Sequence, residues 1–331
     1  MRKTLYIFSN GQLRRKDNTI YFESEEGEHK YIPVEDTSEL MVLGEVDINK
    51  RFLEFCAQKE IVIHYFNYYG YYSGTFYPRE HYNSGYMILR QAEHYLNEEA
   101  RLYLAKQFIF GAARNIRQVL KYYLNREKDV AGRLEEIEKL SERIEGTADI
   151  SQLMAIEGNI RDQYYRAFDA IHENAAFVFE GRSKRPPQNE MNTLISFGNG
   201  IMYSTVLSEI YHTHLDPRIG YLHTTNFRRF TLNLDVAEIF KPIIVDRTIF
   251  TLISKKMLSK KDFKKEAGGL LLKESGRRVF IEELENRLKT TINHRDIGSP
   301  VSYRRLLRLE LYKLEKHLMG ETIYEPFVTQ W

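Results

Sequence analysis

Short apolar runs rich in β-branched and aromatic residues mark the first ~85 residues: "TLYIFS", "NTIYFES", "KYIPVE", "LMVLGE" and "IVIHYFN". The turn-like stretches "NGQ", "SEEGEH" and "EDTSE" separate them, so this region is expected to be β-rich. One helix interrupts it at "DINKRFLEFCAQKE", with Asp47 as its expected cap. "YYGYYSGTFYPRE" closes the region. From about residue 86 the apolar spacing changes to three and four, the period of a helix. "ILRQAEHYLNEEARLYLAKQFIFGAARNIRQVLKYYLN" keeps that period throughout. "DVAGRLEEIEKLSERIEG" is more charged, and its narrow seam of Leu134, Ile137, Leu140 and Ile144 suits one arm of a surface hairpin. "SKRPPQNEMN" breaks the chain before the apolar helix "TLISFGNGIMYSTVLSEIYHTHL". Further helices are expected over 233–257, 280–289 and 301–319. The pattern predicts an α+β protein: a small β-domain over 1–80, a linker over 81–90 and a larger, mainly helical domain over 91–331.

One position breaks the helical pattern. In "QLMAIEGNIRDQYYRAF", residues Leu153, Ile160, Tyr164, Ala167 and Ile171 follow an apolar stripe, and Glu157 stands within it. Gly158 follows, although glycine inside a helix costs roughly 1 kcal/mol relative to alanine. Taken alone, Glu157 is an i,i+4 partner for Arg161. A partly buried carboxylate also suits a metal, provided other ligands arrive from elsewhere in the chain.

Composition narrows the classes. The chain has 331 residues, 43% of them hydrophobic, enough for a sizeable core. No apolar run approaches the ~20 residues of a membrane span. "MRKTLYIFSNGQLRRKD" reads as a first strand and not a signal peptide. The one cysteine, Cys56, reads as a small core residue, and a cytoplasmic location is expected. The net charge of +2 hides an asymmetry. Residues 181–331 carry 25 Lys+Arg against 17 Asp+Glu, and residues 1–180 carry 23 against 29. A polyanionic partner and a merely lysine-rich surface stand level on this count.

No Walker-A spacing, GxGxxG or CxxC is present, and no GxSxG supports a serine nucleophile. In "DPRIGYLHTTNFRRFTLNLDVAEIFKP", His223 ends an apolar run, and Asp235 and Glu238 share a helix face. A histidine with carboxylates and no thiolate suits Mg²⁺ or Mn²⁺ better than structural zinc. Taken alone, the same residues read better as a capped helix, with Asp235 near its positive N-terminus, and a satisfied core histidine. His212 and His214, two apart, point to different sides of a helix and rank second. Basic residues such as Arg182, Lys184, Arg185, Arg228, Arg229 and "SKKMLSKKDFKK" read mostly as solvated faces, but they share the half that holds this cluster, where phosphate contacts would hold a nucleic acid near a metal.

Taken in order, "IEGNIRDQYY", "RPPQNEMNTLISFGNG", "LDPRIGYLH" and "LNLDVAEIFKPIIVD" resemble the CRISPR-associated integrase and endonuclease family of spacer acquisition, the Cas-one proteins. The resemblance extends from residue 1 to about 318 and includes "GEVDINKRFLEFCAQKEIVIHYFNYYGYYSGTF". It implies a β-sandwich-like N-terminal domain that dimerises and a helical catalytic domain. It implies one divalent ion, Mg²⁺ or Mn²⁺, on Glu157, His223 and Glu238, with Asp235 as an additional acidic residue. Arg161, Tyr165 and Asn192 match supporting positions. Lys241 stands where the family usually has arginine. The implied activity is insertion of short DNA fragments into a CRISPR array, by attack of a DNA 3′-hydroxyl on a phosphodiester. The implied partners are double-stranded DNA, a second copy of the chain and a dimer of the Cas-two protein. The alternatives are a structure-selective nuclease acting on branched DNA and a non-catalytic nucleic-acid-binding scaffold.

Overall fold

The computed structural model describes residues 3–79, 82, 84–184, 186–223, 230–266, 268–294 and 297–330. The chain divides into two units, Met1–Tyr82 and Asn83–Trp331.

The first unit holds strands β1 (Lys3–Ile7), β2 (Gly11–Lys16), β3 (Thr19–Ser24), β4 (His29–Pro33), β5 (Thr37–Val42) and β6 (Val46–Ile48). Helix α1 (Lys50–Gln58) and strands β7 (Val62–Phe66) and β8 (Tyr72–Phe76) complete it. One sheet runs β1-β5-β7-β8 and the other β4-β3-β2-β6. In the first sheet β5 is parallel to β1 and β7, and β8 returns antiparallel to β7. Leu13 and Ile20 from one sheet, Leu40 and Ile63 from the other, and Phe52 and Phe55 from α1 share one core. The α+β class and the β-rich N-terminal region are therefore observed.

Two local expectations need correction. The stretch expected to be one first strand is two, β1 and β2, and "GQLRRK" is β2, which begins inside the turn-like "NGQ". Only Leu13 of this strand is buried, so the alternation that betrays a strand is missing. The pairing register, Gly11↔Ser24 to Lys16↔Thr19, holds it in place. A Cβ at position 11 would lie 2.1 Å from the Glu23 carbonyl oxygen, so the close approach of these strands requires glycine. The cap of α1 is Asn49, whose side chain accepts from Phe52 N at 2.9 Å, while Asp47 belongs to β6.

The second unit opens with α2 (Gly85–Leu96) and α3 (Glu98–Leu124). The second half of the expected linker, 81–90, is thus helix. The single long helical pattern is two helices, because Asn97 ends α2 and caps α3 through Ala100 N at 2.9 Å. Next come α4 (Ala131–Glu142), α5 (Ile150–Arg166), α6 (Phe168–His172), α7 (Glu190–Tyr211) and α8 (Leu232–Phe240). A π turn, Pro242–Asp246, links α8 to α9 (Arg247–Ser254). The hairpin β9 (Phe263–Glu266) and β10 (Gly269–Leu272), helix α10 (Glu274–Lys289), the hairpin β11 (Thr291–His294) and β12 (Ser299–Ser302), and α11 (Tyr303–Leu318) follow. Neither hairpin was expected; each strand has only four residues.

Helix α3 packs on α2, α4, α5 and α8, and α7 packs on α8 and α11. Helix α8 is therefore enclosed, with every residue but Leu234 buried. The C-terminal tail adds to the enclosure. Asn115 on α3 donates to the carbonyls of Ile239 (2.9 Å) and Phe327 (3.0 Å), and Phe327 stacks on Phe240. Among the described residues no helix is long and apolar enough to cross a membrane.

Asn49→Ala is expected to lower stability by about 1 kcal/mol through the lost cap, and Asp47→Ala to leave it nearly unchanged. Urea unfolding of the two variants beside the wild type checks the assignment.

Candidate active site

The site starts from the helix that carries Glu157. Asp149 caps α5 by accepting from Gln152 N at 2.8 Å. Leu153, Ile156, Ile160 and Tyr164 bury one side of it, and that packing sets the direction of Glu157 and Arg161. Arg161 Nη2 donates to Glu238 Oε2 at 2.6 Å and to the Glu238 carbonyl at 3.1 Å. Its Nε stands 3.4 Å from Glu157 Oε1. One buried guanidinium thus joins α5 to α8 and sits between two carboxylates. Lys241 bonds the other oxygen of Glu238, Oε1, and lies 3.3 Å from the Tyr203 hydroxyl of α7.

His223 reaches the site by a different route. The segment before it wraps around the Asp235 carboxylate on α8. Asp235 Oδ2 accepts from Tyr221 N (2.6 Å) and Leu222 N (3.0 Å). Oδ1 accepts from His223 N (3.0 Å) and meets His223 Nδ1 at 2.7 Å. Gly220 makes the wrap possible: a Cβ there would lie 2.8 Å from Asp235 Oδ2 and from Thr231. With Nδ1 facing Asp235, Nε2 is the ring nitrogen turned outward, the arrangement by which carboxylates orient metal-binding imidazoles.

Burial is the largest influence on the charges here, and the neighbours decide the outcome. Burial pushes the Glu157 carboxyl up and the charge of Glu238 adds to this, with Arg161, Lys241 and His223 opposing. Burial also acts to raise Glu238, but Lys241 and Arg161 outweigh it and hold that carboxyl well below the usual range. Burial pulls the His223 ring down, and the hydrogen bond and charge of Asp235 more than reverse this, leaving its pKa raised. His223 acts electrostatically on both Glu157 and Glu238, so the three share one neighbourhood.

The other expected residues divide. Tyr165 is buried beside Arg161, with its ring edge-on to Phe168. The Asn192 side chain holds the segment 181–183, accepting from Arg182 Nη1 (2.9 Å) and donating to the Gly181 carbonyl (2.7 Å). Arg228 and Arg229, like Arg185, lie outside the described residues. His214 faces Glu315 of α11 at 3.1 Å. Two buried members of the cluster were not foreseen in these roles: Lys241, which neutralises Glu238, and Asp246. Lys241 lies three residues after Glu238 on the same helical face, a signal the spacing did carry. Asp246 gave no such signal, because a π turn sets its direction.

The donor set fits a divalent ion of the Mg²⁺ or Mn²⁺ type: two carboxylates, one imidazole oriented by a carboxylate, and no thiol. Among the described residues, no group of three or more His, Cys, Asp or Glu side chains is gathered closely enough to hold one as placed. The Glu238 oxygens are instead turned to Arg161 and Lys241.

Residues 5–286 match the model of the family described as CRISPR associated protein Cas1. The chain belongs to the Cas1 family. It is 58% identical over 331 residues to "CRISPR-associated endonuclease Cas1 2" of Thermodesulfovibrio yellowstonii, spanning 100% of both chains. The solved Cas1 protein of Thermotoga maritima matches 98% of this chain and 100% of its own, at 47% identity and a TM-score of 0.90. A casposase bound to integration product has the same fold, with a TM-score of 0.90 at 20% identity over 99% of this chain and 93% of its own. The Cas1 relatives carry the name endonuclease, which makes nuclease-type enzyme chemistry the coarse function of the family.

Asp235→Asn is expected to lower the His223 pKa and to destabilise the chain by about 2 kcal/mol, because buried N–H groups lose their acceptor. NMR titration of the imidazole and denaturant unfolding check the two effects.

Proposed function

We propose that this chain is a metal-dependent DNA integrase: it joins the 3′-hydroxyl of a short DNA fragment to a phosphodiester at the edge of a CRISPR repeat. The observation that carries the reading is that Arg161 bridges Glu157 of α5 to Glu238 of α8, while His223, oriented by Asp235, acts electrostatically on both carboxylates. Glu157, His223 and Glu238 would hold Mg²⁺ or Mn²⁺, and the ion would supply Lewis-acid stabilisation of charge on the phosphoryl oxygens. Asp235 fixes the imidazole, so that Nε2 can accept a proton or a cation. Arg161 and Lys241 hold Glu238 ionised. Gly158 follows Glu157 on the exposed side of α5, and a Cβ there would meet nothing within 4 Å. Packing does not call for this glycine; space for a DNA backbone beside the carboxylate does.

Direct transesterification breaks one phosphodiester and forms another, so it needs no nucleotide cofactor and no covalent protein intermediate. The partners of this reading are double-stranded DNA, a second copy of the chain through the N-terminal domain, and a dimer of Cas2. The fold shared with a casposase bound to integration product is consistent with strand joining. The relatives' name, endonuclease, favours a second reading, in which water replaces the 3′-hydroxyl and branched DNA is cut.

Incubating the protein and Cas2 with a 3′-hydroxyl DNA fragment and a repeat-bearing plasmid separates the two. Joined strands indicate integration and free ends indicate hydrolysis. Glu157→Ala is expected to reduce joining by more than about a hundredfold, and chelation to abolish it. Undiminished joining in either case removes the metal assignment; DNA binding with neither joining nor cutting leaves only a scaffold.

Mn²⁺ affinity is also expected to depend on pH. The proton competes with the ion at His223, and the raised pKa carries that competition above the usual value of about 6.5. Affinity should therefore fall, by up to about tenfold per pH unit, as the pH drops below the raised value. Calorimetric titrations from pH ~8 to ~6 would show this, and a flat profile would remove His223 from the ligands.

A further inference from the structure

Asp246 is a buried carboxylate that the chemistry above leaves unused. It is 1% exposed, and neither oxygen accepts a well-formed hydrogen bond, although the Tyr164 hydroxyl is close enough to act on it as a donor. Two buried donors also lack a well-formed bond: the Tyr164 hydroxyl, which is directed at Asp246, and Arg161 Nη1. The charge of Asp246 acts on both side chains, so these groups occupy one neighbourhood. An isolated buried carboxylate costs several kcal/mol, and burial pushes this one up to about 7 against the pull of Arg161 and Lys241.

The π turn determines where it points. Asp246 N donates to the Lys241 carbonyl, five residues back, at 3.0 Å. At about 100° per residue, a regular helix would set Asp246 about 80° from Glu238 and put Val245 nearer that direction. The extra residue in the π turn takes up most of this rotation, so Asp246 comes round to the side of Glu238 and Lys241. Such turns concentrate at functional sites.

Charge counting says what the carboxylate can do. In the state that can hold a cation, with Glu157 ionised and His223 neutral, Glu157, Asp235 and Glu238 are set against Arg161 and Lys241, which leaves one net negative charge. A divalent cation on Glu157, His223 and Glu238 would turn this into one net positive charge, and an ionised Asp246 would cancel it. Glu238 can commit fully to a cation only if Arg161 keeps a partner, because a buried guanidinium stripped of its partner is strongly destabilising.

We propose that Asp246 is the reserve counter-ion of the site: when a divalent cation draws on Glu238, Arg161 turns its unpaired Nη1 to Asp246. The proposal rests on the metal reading above. Asp246 is a positioning residue, acting through Arg161 and touching neither the cation nor DNA.

The test titrates the full-length chain with Mn²⁺ by calorimetry at pH ~8 and follows thermal unfolding in chelator. Asp246→Asn is expected to unfold in chelator at or above the wild-type midpoint, yet to bind Mn²⁺ about tenfold or more weakly. In an Arg161→Gln background the same substitution should change Mn²⁺ affinity by less than about twofold, because the residue it acts through is gone. Wild-type affinity in Asp246→Asn overturns the proposal, as does a full additional loss in the Arg161→Gln background. Failure of Asp246→Asn to fold in chelator also overturns it, since a carboxylate held in reserve is dispensable before the cation arrives. A wild type that binds no Mn²⁺, or Glu157→Gln binding it unchanged, overturns the metal reading itself and this proposal with it.

Discussion

The buried guanidinium of Arg161 is the contact on which the site depends. It bonds the side chain and the backbone of Glu238 and lies against Glu157, so it ties α5 to α8 through charge. Each of these groups would be costly to bury alone. Together they set a local pattern: Glu238 held ionised, Glu157 pushed toward its neutral form, and two carboxylates kept near each other without full repulsion. The protein spends stability on this arrangement, since well-packed apolar residues of similar size are often as stable as a buried ion pair.

Around that contact, the fold supplies direction. Helix α8 is enclosed by α3, α7 and α11 and braced through Asn115 by the C-terminal tail. Its carboxylates therefore have little freedom to drift. Asp235 gathers three consecutive backbone N–H groups, and so converts the loop before residue 224 into a mount for His223. These two devices explain how a histidine twelve residues before Asp235 and a glutamate from a distant helix come to share one neighbourhood.

Much of the architecture was legible in the amino-acid pattern. The short β-branched and aromatic runs and the later period of three and four mark the two units, and a carboxylate on an apolar stripe marks Glu157. The failures have specific causes. Strand β2 buries only Leu13 and so shows no alternation. The break between α2 and α3 is hidden because Asn97 lies where the helical period continues across it. Asp47 and Asn49 are both able to cap, and only the start of α1 decides between them.

The sequence by itself determined the family, the helix that carries Glu157 and the helix that carries Asp235 and Glu238, because side-chain period and motif order are local properties. Tertiary structure alone decided which partners those carboxylates take. Whether Glu157 pairs with Arg161 or serves a shared cluster depends on where α8 lies. The same packing assigns Lys241 to Glu238, and one π turn brings Asp246 into reach. Charge interactions act through space and depend on burial, and neither can be read from spacing along a chain.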